Sequence, residues 1–305
     1  MVRLRAGELT ATWLPEHGMV GASLRHRGGE LLGQRGGELL GQRGGLEAYL
    51  GRGSAFGIPL LAPWANRLDG LRYGDVVLDP ARVKGGAERL PKDGALAGRP
   101  WLVEDATETS VAARFDAGCD GYEDVLAVFP FPHAWRVEVT LTPAAMAVRT
   151  ELSATGDVAV PVSFGWHPLF ALPGVARAAL EVQLPVLAEA VLDARGIPTG
   201  EPDRRPPAWT DGALGERVLD DEFAELDAAR AFVLRGGGRE LRVTFAAPGY
   251  AVGHAWAPAG EAFVAWEPMT APTNALVSGR GLRHVAPGDA FAATFEVAVR
   301  ATDAG

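Results

Sequence analysis

At 305 residues with 48% apolar side chains, the chain is long enough to bury a large core, which excludes intrinsic disorder. A formal net charge of −9, with Lys and Arg scattered rather than clustered, offers no basic stripe to a phosphate backbone, so nucleic acid is not an expected partner. The lone Cys119 excludes a disulfide framework and a multi-Cys zinc site, and no apolar run approaches a bilayer span, so a soluble, reducing, cytoplasmic setting without membrane attachment is expected.

The opening MVRLRAGELTATWLPEHG (1–18) alternates polar and apolar residues and lacks the continuous apolar segment of a secretory signal, so the mature protein is expected to begin here. GGELLGQR then occurs twice in succession, at 28–35 and 36–43. An eight-residue unit in two copies is too short and too few for a solenoid and reads as a duplicated hairpin tip or surface loop, with a binding role as the alternative. GRGSAFG (51–57) lacks the Gly-Lys-Ser/Thr of a phosphate loop. GIPLLAPWANRLDG (57–70) is a Pro-rich approach to Asn66 and Arg67, suited to presenting a guanidinium to ligand oxygens or to an ordinary surface arginine. LPKDGALAGRPW (90–101) sets Asp93 before Gly94, where a local Asx-type turn is the simplest reading.

Beyond Cys119, which has no evident partner base, the dominant period is two. RVEVTLT (136–142) alternates through Val137, Val139 and Leu141, and Met146, Val148, Thr150 and Leu152 continue the pattern after Pro143 and Ala144, predicting an antiparallel hairpin. FGWHPLF (164–170) places His167 among aromatic residues and before Pro168, which biases its backbone toward an extended form. Such an imidazole fits a group tuned near neutral pH and equally a structural core histidine. The other histidines, 17, 26, 133, 254 and 284, show no metal-ligand spacing and read as ordinary. DEFAELDAARAF (221–232) is the best helical candidate, at about two turns. Phe232 and Leu234, then RGGG, then Leu241, Val243 and Phe245 predict a second hairpin. In AFVAWEPMTAPTNAL (262–276), Glu267 ends an apolar run just before a proline, as a general base in a semi-apolar pocket or as a solvated strand-end glutamate. Phe291, Ala293, Phe295, Val297 and Val299 make a closing strand. Without βαβ crossovers, the pattern predicts an all-β fold, a large antiparallel β-sandwich or barrel, in a single domain over 1–305.

In this order and spacing, GIPLLAPWANRLDG, FGWHPLF and AWEPMTAPTNAL resemble the aldose 1-epimerase (galactose mutarotase) family. YEDVLAVFPFPHAWRV (122–137), LDARGIPTGE (192–201) and VAPGDAFAATFEVAV (285–299) extend the likeness over most of the chain. The resemblance implies a galactose mutarotase-like supersandwich and an isomerase that interconverts the anomers of a free or modified aldose without cofactor or metal, as a monomer or homodimer. It implies Glu267 as the base at the C1 hydroxyl and His167 as the acid at the ring oxygen. Arg67 and an aspartate of LDDEF, Asp220 rather than Asp221, would bind the sugar, with Trp64, Trp166 and Trp266 as candidate apolar surface or core. Family members commonly carry His-Gly where this chain has Asp93-Gly94. A carboxylate only accepts where an imidazole also donates, so Asp93 is expected as a sugar-binding position that weakens turnover of ordinary hexoses or changes the preferred sugar. A catalytically silent sugar-binding protein is the alternative. A phosphorylated sugar would call for further Arg or Lys at the cleft, and Asp93 would repel it.

Overall fold

A computed structural model describes residues 1–26, 37–53, 55–83, 85, 90–200 and 203–302. The alternating segments form strands whose buried members face one core. In His133–Leu141 and Ala145–Ala154, Val139 stands opposite Val148 and Val137 opposite Thr150, so the predicted hairpin is present in the register its apolar residues demand. Phe232–Gly236 pairs with Arg239–Thr244, and Ala290–Ala301 alternates with Ala293, Phe295, Val297 and Val299 turned inward.

These strands belong to a nine-stranded sheet, which packs on an eight-stranded one. The second sheet runs Arg204–Arg205, Val186–Ala190, Leu219–Leu226, Val252–Ala257, Phe263–Met269, Gly165–Trp166 and Leu60–Leu61, with Leu169–Ala171 also pairing Phe263–Met269. All pairs between these strands are antiparallel. Trp166 and Trp266 project from the second sheet against Phe295 and Phe232 of the first, at ring separations of 5.9 and 5.6 Å, so the inner faces interdigitate as in a β-sandwich.

Two expectations are corrected. Residues 221–226 of the helical candidate lie in the Leu219–Leu226 strand, because neighbours on both sides offer ladder bonds and Phe223 gains burial in the core. Residues 37–41 of the second GGELLGQR copy are not a surface loop, while Gln42 and Arg43 are exposed. Gly37–Glu38 pairs with Val20–His26, Glu38 accepts from Ser23 Oγ at 2.5 Å and from the Leu24 and Leu40 amides, and Leu39 and Leu40 are buried. The first copy lies outside the described residues. Among the described residues no helix is long and apolar enough to cross a membrane.

Candidate active site

Two X-Pro dipeptides build the centre of the site. Gly165 pairs with Met269 and Leu169 with Ala265, in one continuous register against Phe263–Met269. Between these pairs the ladder is interrupted at His167-Pro168, and Pro168 and Pro268 lack the N–H that would bond across it. The unbroken register sets His167 across from Glu267, and His167 Nε2 lies 3.2 Å from Glu267 Oε1. Glu267 is buried within its strand, not solvated at a strand end.

The same row extends across the sheet. His254 pairs with Glu267 on one side and with Glu222 on the other, so four neighbouring strands carry Glu222, His254, Glu267 and His167 side by side. Burial works against charge on His254, but a hydrogen bond to Asp220 and the carboxylates of Glu267, Asp220 and Glu222 together raise its pKa above the usual histidine value. Burial likewise opposes ionisation of Asp220, and its His254 hydrogen bond with the nearby charges of His254, Arg67 and Lys92 holds it below the usual carboxylate range.

Loops close the site. Asn66 takes the left-handed conformation, φ 57°, and its carbonyl accepts from the Asp93 amide at 3.0 Å. Arg67 Nη1 donates to Asn66 Oδ1 at 3.1 Å and Nη2 to Asp220 Oδ2 at 3.4 Å. Gly196, in the LDARGIP segment, lies so close to the Arg67 guanidinium that a Cβ there would come within 2.9 Å of Nη1. Asp93 is left-handed too, φ 62°, which its short polar side chain tolerates, and Gly94 follows at φ 67°. Asp93 stands at a bend in the chain and lines the cleft. Burial first, with the Asp93 charge adding, pushes the phenol of neighbouring Tyr49 upward.

Glu267, His167, Arg67, Asp93 and Asp220 all line one cleft of about 240 Å³, the scale of a small polar ligand. Asp221, one residue along the strand, projects to the other face toward Arg205. Trp64, Trp166 and Trp266 are wholly buried and none lines the cleft; as neighbours of His167 and Glu267 on extended backbone, Trp166 and Trp266 must point the opposite way. The aromatic wall is Trp256, edge-on to His167 at 5.5 Å and beneath the Arg43 guanidinium at 5.1 Å. Sequence reasoning passed over Trp256, His254, Arg43 and Lys92. The first two share a sheet face at i and i+2, a signal visible in GHAWA; Arg43, from the second repeat copy, and Lys92 gave none.

Comparison with known proteins agrees with this architecture. A galactose mutarotase-like protein from Clostridium acetobutylicum superposes with a TM-score of 0.79 at 16% identity, covering 98% of this chain and 95% of that one. The Slr1438 protein from Synechocystis gives 0.75 at 21%, over 98% and 95%. Galactose 1-epimerase from Lactobacillus acidophilus gives 0.73 at 13%, over 98% and 93%. No curated protein sequence matches the chain. The fold is therefore galactose mutarotase-like, and the family model for aldose 1-epimerase matches residues 28–298. The chain belongs to the aldose 1-epimerase family.

Proposed function

We propose that the protein is an aldose 1-epimerase that exchanges the α and β anomers of a free or modified aldose, with Glu267 as base and His167 as acid. The observation that carries this reading is the register-matched contact of His167 Nε2 with Glu267 Oε1 at 3.2 Å inside a cleft that also holds Arg67 and Asp220. Anomer exchange needs a proton removed from O1 and another delivered to O5, two oxygens on one carbon. A base and an acid side by side reach both.

In the ring-opening half, the Glu267 carboxylate takes the O1 proton, the C1–O1 bond becomes a carbonyl, and the C1–O5 bond breaks as His167 protonates O5. The open aldehyde turns about C1–C2. His167 then recovers the O5 proton as O5 attacks the other face of C1, and Glu267 returns its proton to O1. Each group ends the cycle as it began. Arg67 and Asp220 hold sugar hydroxyls, and Trp256 meets a C–H face of the ring. Asp93 accepts from a hydroxyl without donating, which favours sugars that present a donor there.

Polarimetry of freshly dissolved single-anomer aldoses tests the proposal, with faster approach to equilibrium as the expected result. Calorimetric binding without any acceleration would instead identify a silent sugar-binding protein.

A further inference from the structure

His254 closes a ring of hydrogen bonds that the proton transfers do not use. Arg67 Nη1 donates to Asn66 Oδ1 at 3.1 Å, Asn66 Nδ2 meets His254 Nδ1 at 3.3 Å, His254 Nε2 meets Asp220 Oδ1 at 2.8 Å, and Asp220 Oδ2 receives Arg67 Nη2 at 3.4 Å. Donor and acceptor rules fix the ring's sense. A guanidinium only donates, so the Asn66 oxygen must face Arg67 and its NH2 must face His254. His254 Nδ1 is then a bare acceptor and Nε2–H donates to Asp220, which describes a neutral imidazole in one tautomer.

We propose that His254 is a positioning residue that holds Arg67 in its sugar-binding place through Asn66 and Asp220 only while it is the neutral Nε2–H tautomer, and that protonation at Nδ1 releases Arg67 from Asn66. A proton on Nδ1 would set donor against donor. The Asn66 amide must turn over to accept it, and its NH2 then faces Arg67, which has no acceptor to offer.

The surroundings make that proton accessible. Asp220 and Glu222 face His254 from one neighbouring strand and Glu267 from the other, with Arg67 above. His167, Lys92 and Asp93 border the same cleft, while Asp221 lies on the reverse face. The carboxylates overcome burial and move the imidazole toward its charged form, so the ring geometry and the electrostatics pull in opposite directions. The pH window follows from the sign: the ring is intact above the raised pKa of His254 and opened below it.

The sugar-binding consequence rests on the proposed function; the ring does not, so the first measurement uses the full-length protein without sugar. Long-range proton–nitrogen correlation on 15N-histidine-labelled protein is expected to show His254 as the Nε2–H tautomer at alkaline pH. On acidification Nδ1 should protonate above the ordinary histidine range, with the Asn66 side-chain amide and Arg67 guanidinium signals moving at the same midpoint. An Nδ1–H tautomer, or Asn66 and Arg67 signals indifferent to that midpoint, would overturn the proposal. The second measurement is calorimetric binding of a non-reacting 1-deoxy aldose across the same pH range. Wild-type affinity should rise with pH through the His254 midpoint, and His254→Gln, which cannot take the proton, should bind about fivefold more weakly with that midpoint gone. A Gln variant retaining the wild-type midpoint also refutes the role. Coupled titration in a protein that binds no aldose would leave the ring standing and sink the sugar reading alone.

Discussion

Gly94→Ala probes whether the Asp93 loop is held in one place by sterics. The glycine sits at φ 67°, and a Cβ there would lie 2.0 Å from the Ala62 carbonyl oxygen and 2.7 Å from the Pro63 nitrogen. Real Cβ contacts do not fall below 3.0 Å, so the loop must retreat by about 1 Å. That retreat strains two of the bonds that fasten it, from the Ala95 and Leu96 amides to the Ala62 oxygen at 2.8 and 3.1 Å. Left-handed backbone costs an alanine about 1–2 kcal/mol, and each lost bond about 1 kcal/mol. A destabilisation of roughly 3–4 kcal/mol is expected, readable as a lowered urea midpoint with unchanged slope. Lys92 and Asp93 move with the loop, and a displacement of this size at a cleft wall lowers turnover about 100-fold. A variant with wild-type midpoint and wild-type anomer exchange would refute the steric argument.

Other outcomes follow from the same geometry. Arg67→Lys replaces a fork that reaches both Asn66 and Asp220 with a single point donor, so KM for the sugar should rise about tenfold with kcat little changed in polarimetric saturation curves; an unchanged KM counts against a sugar-holding Arg67. Asp93→His restores a donor at a backbone position histidine tolerates, and hexose mutarotation should quicken several-fold; no gain would remove Asp93 as a functional departure. His133 is fully buried, and burial pulls its imidazole from the ordinary 6.5 to about 4. The unfolded chain therefore takes up a proton that the folded chain refuses, and stability present above pH 6.5 declines as pH falls toward 4, by on the order of 3 kcal/mol from this group. Urea midpoints across that window should fall with pH less steeply in His133→Gln than in wild type.

The fold was legible because period-two alternation is a direct consequence of one-sided burial, as in Val137, Val139 and Leu141 against Met146, Val148 and Leu152. The helical candidate at 221–232 failed because short apolar spacing does not separate a helix from a central strand whose preference is set by its neighbours. At the site, the X-Pro pairs around His167 and Glu267 were visible, but their facing register is a property of pairing between segments about 100 residues apart in the sequence and no local signal carries it. Between the two readings of the tryptophans, strand alternation decides for two of them: it turns Trp166 and Trp266 away from the side of His167 and Glu267 and turns Trp256 to the same side as His254. Arg43 reaches the cleft from a repeat that looked like surface because nothing local in GGELLGQR signals that Gly37–Glu38 pairs with Val20–His26.

In the proposed reaction Glu267 and His167 divide the two proton transfers of ring opening. Magnetisation-exchange NMR between the α and β anomeric protons of an accepted aldose measures that step at equilibrium. Glu267→Gln and His167→Asn are each expected to lower the catalysed exchange rate by about 10²–10⁴-fold while 1-deoxy aldose binding persists. Exchange at the wild-type rate in either variant would contradict that division of roles.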